Sequence, residues 1–489
     1  MHTRYLAPEL ILAVTALLLL LLKVTGRRLP GLTAFASLSL LLAGWALWPL
    51  HEENLSFLGG TFLLDPLAFY FKALFLGTAL LAFWGAAGWV RRNPETAPDF
   101  HALLLLETAA LMLMVSAGEL ISLYLALEAS VVTFFTLAGL QPERPGSLEA
   151  TLKYVLSAGV SAAFLLYGMS FLYGFTGTTN LEEIGVRLGA TAWSPLLLLA
   201  GLFLLTGFGF KLAIVPFHFW SPDVYEAAPT PVVAYLAVAS KAAGFAVALR
   251  VFTVALGALA AGWSFVFAVV AAATIVFGNL AAIPQTDLKR LLAYSSISQA
   301  GYLLLGLAAM SRPGLSSALF YAALYTLSNL TAFFVVAAWE EASGRTDLAG
   351  FGGLARRAPF LAAALLIALL SLGGIPPLAG FIGKLTLFMA VVDAGQVWLA
   401  LIGAALSVVS VYYYLNVARV MYVEPPAALA APGSPAPAPA EQTSPAILAG
   451  VAPTTLLAIA LSLLGTLLLG VYPTWLLRAA DWAACLFWG

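Results

Sequence analysis

Apolar runs of roughly 20 residues, the length that crosses a bilayer as an α-helix, recur fourteen times along the chain. Their centres fall near Val14, Leu40, Leu80, Leu111, Val131, Phe164, Phe203, Val238, Ala271, Leu303, Phe333, Leu370, Val409 and Leu463, with only "SAGEL" between the fourth and fifth. A chain of 489 residues that is 62% hydrophobic and 9% charged, with a mean hydropathy of +0.98, has too few polar residues for a water-facing surface. The pattern therefore predicts an all-α polytopic membrane protein. The first run, "MHTRYLAPELILAVTALLLLLLKVTGRR", lacks a small-residue cleavage site, ends in cations and is too long for a signal peptide, so it reads as a retained span.

Cations in alternate loops orient the spans. One side holds twelve, namely Lys23, Arg27, Arg28, Arg91, Arg92, Arg144, Lys289, Arg290, Arg345, Arg356, Arg357 and Arg419; the other holds Arg4, Arg187, Arg250, Arg312 and Arg478. This bias predicts an even number of spans, with the richer side cytoplasmic and both termini on the opposite side. The net charge of −1 offers nothing to nucleic acid. A single cysteine, Cys485, and four histidines leave no set of ligands for an iron–sulfur cluster or zinc and little for haem. No Walker loop, dinucleotide fingerprint or hydrolytic triad is present. The sequence thus assigns the chain no cofactor and no metal. "HEEN" and "QPERPG" read as solvated loops, and the Pro/Ala-rich stretch from Glu424 to Pro445 as a semi-extended linker.

Function is sought in the five remaining lysines, which fall inside spans. A lysine at the centre of a membrane helix costs about 2.5–3.5 kcal/mol on insertion scales, so one that is kept there needs a partner or a wet cavity. Lys72 lies about two turns into the third span, close enough to an end to snorkel. Lys153 lies in the first turns of the sixth span, where a surface role and a secondary relay are both compatible with its position. Lys211, Lys241 and Lys384 have long apolar surroundings on both sides. Glu128 is read as the one carboxylate deep in a span, Glu107 and Glu119 being placed near predicted ends. Pairing with a single glutamate cannot neutralise three lysines, so at least one must sit in water or give up its proton, which makes it a candidate proton carrier.

Two of these lysines border helix breaks. Pro216 removes a backbone donor after Lys211, and "LGGIPPLAG", with Gly373, Gly374, Pro376 and Pro377, does so before Lys384. Freed backbone groups in a bilayer must be satisfied by protein or water, so such breaks mark cavities rather than lipid-facing surface. His218, beside the first break, suits either a secondary relay or a hydrogen-bonded helix end. "GFGFKL" and "GFIGKL" align Lys211 with Lys384 at an offset of 173, and "RPGSLEA" and "RPGLSSA" match at 168. The seventh and twelfth spans differ by an odd number, so the repeat is inverted, as in secondary transporters with ion sites at broken helices. The expected organisation is 1–100 (spans 1–3), 101–256 (first five-helix repeat), 257–424 (second, inverted repeat), 425–448 (linker) and 449–489 (last span).

Three stretches carry a family resemblance: "FKLAIVPFHFWSPDVYEAAPTPVVAYLAVASKAAG", "LKRLLAYSSISQAGY" and "SLGGIPPLAGFIGKL". With them the chain resembles the proton-conducting membrane subunits of respiratory complex I and the related cation/proton antiporter subunits, most firmly from Glu119 to Tyr414. Lysine rather than glutamate in the twelfth span, and no long lateral helix at the carboxy terminus, separate it from the branches that have those features. The resemblance implies proton translocation driven by quinone reduction elsewhere in a bacterial inner-membrane complex. Glu128 would pair with Lys211, Lys241 would be the central relay and Lys384 the terminal site, with internal water between them. It also implies partners: other membrane-arm subunits, antiporter-like ones among them, and subunits holding flavin and iron–sulfur clusters. A Na⁺/H⁺ antiporter subunit and a non-conducting scaffold are the rival readings.

Overall fold

The computed structural model describes residues 4–25, 31–143, 146–190, 194–425 and 450–485. Arg27, Arg28, Arg144 and nearly all of the Pro/Ala-rich linker lie outside the described residues. Within them, thirteen helices are long and apolar enough to cross a membrane. In chain order these are α1 (Ala7–Val24), α2 (Leu32–Leu50), α3 (Pro66–Gly85), α4 (Ala97–Val115), α5 (Leu120–Ala138), α6 (Ser147–Thr176) and α7a (Pro195–Leu212), followed by α8 (Thr230–Ala255), α9 (Gly257–Ala282), α10 (Leu288–Ala309) and α11 (Arg312–Ser343), then α13 (Val397–Tyr422) and α14 (Pro453–Val471). The remaining crossing, α12, is broken into α12a (Pro359–Gly373) and α12b (Ala379–Asp393), each half being too short alone. The seventh crossing is also broken, α7a being continued by α7b (Trp220–Ala227).

Burial sorts the helices into an axis and a wall. The apolar stretch of α8 is entirely buried and those of α10 and α11 nearly so, whereas two-thirds of the corresponding residues in α1, α2 and α6 face outward. Helices that are apolar all round belong in such an interior, and those with an outward apolar face meet lipid. The wall is stitched at one edge by a buried ion pair. Lys72 of α3 is fully buried and lies 2.7 Å from the Glu9 carboxylate of α1. Lys72 therefore does not snorkel; its ammonium is met by a carboxylate of another span. Two cations counted above as loop charges are buried as well. Arg250 makes a bidentate contact with Asp65 at 2.7 and 3.1 Å, and Lys289 donates to the Ala228 carbonyl at 2.8 Å.

The inverted repeat is written in the hydrogen bonds. At the start of α5, Leu120 N–H meets the Thr179 carbonyl and Leu181 N–H the Gly118 carbonyl; at the start of α10, Leu288 meets Thr346 and Leu348 meets Thr286. Thr179 donates to Glu119 and Thr346 to Asp287 in the same way, at 2.8 and 2.5 Å. The two breaks also match bond for bond. Ala213 and Gly374 both stand in the left-handed region, with φ of 54° and 81°. Their amides meet Phe210 and Ser371, and the next amides, Ile214 and Ile375, reach back to Gly209 and Leu370. This register corrects the sequence alignment. The breaks correspond at an offset of 161, not 173, so Leu372 occupies the place of Lys211, and Lys384 lies beyond the break instead of before it.

Candidate functional site

The three deep lysines are all buried, and each is held by oxygen atoms. Lys211 ends α7a, where the αL residue Ala213 stops the helix. Its Nζ donates to Ser130 Oγ at 2.5 Å, and Ser130 Oγ in turn donates to Glu107 Oε1 at 2.6 Å. Glu107 sits in the middle of α4 and is completely buried. The sequence pattern puts it near a span end; the structure puts it mid-helix. Glu128 is half-buried and, two residues from Ser130 on α5, points to a different side of that helix. Among the described residues no hydrogen bond or ion pair joins it to Lys211, although the two charges are close enough to attract. The carboxylate linked to Lys211 through a hydroxyl is therefore Glu107, and the reading of Glu128 as the one deep carboxylate is corrected.

Lys241 lies on α8 directly after a π-helical turn, Leu236–Ser240. A π turn leaves backbone groups out of the ordinary α ladder and often marks functional segments. Tyr325 uses one such group, donating to the Ala237 carbonyl at 3.0 Å, with Ser296 Oγ hydrogen-bonded to its hydroxyl at 2.9 Å. Lys241 Nζ donates to the Ser296 carbonyl at 2.9 Å and lies 5.9 Å from the centre of the Tyr225 ring. Three residues further along α10, on the neighbouring part of its surface, Gln299 donates to the Leu372 carbonyl at 3.2 Å and accepts a short hydrogen bond from Tyr321. Lys384 donates to that same Leu372 carbonyl at 2.8 Å and to Ser407 Oγ at 3.0 Å. Its ammonium stands over the Tyr302 ring, 4.4 Å from the centroid, a cation–π contact that offsets part of the lost hydration.

The secondary candidates lie elsewhere. The Lys153 side chain is 46% exposed and pairs with Glu149 and Asp223 at 2.8 and 2.7 Å, while Asp223 also binds Arg290 at 2.8 Å. His218 is buried in the first break, packed on Phe277 with ring centroids 4.3 Å apart, and lines a cavity of about 400 Å³ with Lys153 and Asp223. Pro216 falls inside that break, and Gly373, Gly374, Pro376 and Pro377 frame the second. The interior thus offers a line of buried amines, hydroxyls and amides with a carboxylate at one end. Such groups can hold and hand on protons; the lysines touch oxygens at hydrogen-bond distance, the geometry proton transfer requires.

A family model described as NADH:quinone oxidoreductase/Mrp antiporter, TM, matches residues 117–410, which contain both breaks. The chain is 46% identical over 455 residues to NADH-quinone oxidoreductase subunit N of Moorella thermoacetica, with 93% of this chain and 92% of the relative covered. It is similar to a chain of respiratory complex I from Thermus thermophilus, at 35% identity and a TM-score of 0.74, covering 94% of this chain and 98% of that one. A chain of the Mrp complex from Dietzia shares the fold, with a TM-score of 0.84 at 23% identity over 100% of this chain and 98% of that chain.

Proposed function

The chain belongs to the NADH:quinone oxidoreductase/Mrp antiporter transmembrane family, and from that premise we propose that its own part in the complex is to carry protons along Glu107, Ser130, Lys211, Lys241 and Lys384. It is a multi-pass membrane-arm subunit of NADH-quinone oxidoreductase, complex I, in the bacterial inner membrane, with other membrane subunits of that complex as partners. In our reading the arginine-rich face is cytoplasmic and both termini lie on the other side, as the loop charges predict. The chain itself carries no cofactor; electrons pass through flavin and iron–sulfur clusters of partner subunits to a quinone bound elsewhere.

The observation that carries this reading is the shared carbonyl of Leu372. Gln299, in the helix whose Ser296 holds Lys241, and Lys384 both donate to it. The central lysine thus rests on α10 at Ser296, and the terminal lysine shares the Leu372 carbonyl with Gln299 of that same helix. A lysine takes up or releases a proton according to the charges and oxygens around it, and one pKa unit of change corresponds to about 1.4 kcal/mol. A signal that separates Lys211 from its carboxylates favours release from Lys211 towards Lys241, with water completing the gaps. Glu128, within electrostatic range of Lys211, tunes that step, while Lys153 and His218 lie beside the line as secondary relays.

Whole complex carrying Lys241→Ala, reconstituted in vesicles, tests the reading. NADH-driven acidification is expected to collapse while reduction of an artificial acceptor by the peripheral subunits continues. Acidification at the wild-type rate would refute the relay, and transport that requires sodium would favour the antiporter reading.

A further inference from the structure

We infer that a cavity on the arginine-rich face is the proton intake of this chain, with Glu341 as its first acceptor. The inference rests on the reading of Lys211 as a proton carrier. The cavity has a volume of about 730 Å³, and its lining includes Arg92, Asn93, Glu143, Pro231, Glu340 and Glu341. Two acidic residues at the end of α11 thus belong to the lining of this cavity, on the face where the loop cations concentrate.

Glu341 is more than a surface charge. Both of its carboxylate oxygens are shielded from solvent, and they fill the place that a side chain at position 88 would take. A Cβ on Gly88 would stand 1.8 Å from Glu341 Oε2. Glycine at 88 is thus what lets the carboxylate enter the protein. Arg92 lines the same cavity.

The inner wall of the cavity leads to Lys211. Glu340, next to Glu341, accepts a short hydrogen bond from Thr230, the first residue of α8, and Pro231 beside it lines the cavity. On the same helix, Tyr235 meets Thr108 Oγ1 at 2.8 Å, and Thr108 adjoins Glu107, already linked through Ser130 to Lys211. Thr230 and Tyr235 are separated along the helix by roughly 7–8 Å, a gap that the inference requires water to span. One proton is taken from water by the Glu341 carboxylate, which becomes a carboxylic acid and returns to carboxylate when the proton moves inward; no electron moves. The cavity beside His218 is a weaker intake, because its acid, Asp223, is already held by Lys153 and Arg290.

The test measures NADH-driven quinone reduction by the detergent-solubilised whole complex, where turnover requires proton movement but no gradient builds. Lys211→Ala is measured first. Wild-type turnover there would overturn the proton-carrier reading itself, whatever the intake. With Lys211→Ala inactive, Glu341→Gln is expected to slow turnover about tenfold or more, below the usual contribution of a positioned proton-transfer group. Glu341→Asp should recover most of the rate, and formate, a small weak acid that fits the cavity, should raise turnover of Glu341→Gln but not of Lys211→Ala. Ala337→Phe, which narrows the cavity without touching a charge, should slow turnover as well. Wild-type turnover in Glu341→Gln overturns the inference. So does a loss that neither aspartate nor formate relieves in an assembled complex, which would make Glu341 a structural anchor between α11 and the segment after α3.

Discussion

The broken helices α7 and α12 share one backbone and differ in where they place a charge. Each stops at a left-handed residue, turns through the same hydrogen bonds and resumes. In α7 the lysine precedes the break and reaches across to Ser130 on α5. In α12 the corresponding residue is Leu372, and the lysine follows the break and folds back on the Leu372 carbonyl. Inverted repeats fix the backbone of an ion site at the membrane midplane; side chains then decide what each copy does. The first copy couples its amine to a carboxylate, whereas the second holds its amine with a carbonyl, a hydroxyl and an aromatic face. A cation with a nearby anion retains its proton more strongly than one held by neutral oxygens, so the pair suits loading in the first repeat and release in the second.

The largest expected effect separates charge from titration. Lys384→Ala should cut coupled turnover by on the order of 10²-fold, the scale of a positioned proton-transfer group. Lys384→Arg should do nearly as badly, because guanidinium does not give up its proton. Turnover near wild type in the arginine variant would make Lys384 a fixed charge and erase the contrast between the repeats. Next, Glu107→Gln should lower NADH-driven acidification by about tenfold and more than Glu128→Gln does, since a charge-assisted hydrogen bond to a buried group contributes about 1.5–3 kcal/mol. The reverse order would assign the loading carboxylate to Glu128.

The breaks themselves can be compared by glycine exchange. Gly374→Ala should lower stability by about 1–2 kcal/mol, the cost of the left-handed region for a residue with a Cβ, and that Cβ would press on Lys384 Cδ at 3.1 Å. Ala213→Gly should stay within about 0.5 kcal/mol of wild type, relief of the left-handed backbone being offset by the freedom of glycine in the unfolded chain. Melting of the purified complex reports both. The helix starts can be compared as well: Asp287 accepts from the Arg290 amide at 2.9 Å, whereas Glu119 makes no such cap. Asp287→Ala should therefore cost about 1 kcal/mol, and Glu119→Ala less.

Much of this was legible in the residues. Lys211, Lys241 and Lys384 stand out because a bilayer penalises each of them, and the prolines and glycines beside two of them announce the breaks. The partners were harder to find, because a partner is a fact about two spans at once. Glu9 on α1 is the hidden mate of Lys72 on α3, 63 residues further along the chain and two spans away. Its own place inside an apolar run, after Pro8, was the available signal. Glu107 was hidden because the sequence pattern puts it near a span end. The repeat register was obscured because the eye aligns Lys211 with Lys384, while the backbone aligns Ala213 with Gly374, and alanine does not advertise a left-handed conformation. The π turn before Lys241 has no sequence signature at all.

The most direct test of the account is NADH-driven acidification by vesicles containing complex assembled with Lys211→Ala. The account predicts an intact complex that still passes electrons from NADH to an artificial acceptor yet fails to acidify the vesicles. Acidification at the wild-type rate, with assembly verified in the same preparation, would contradict it.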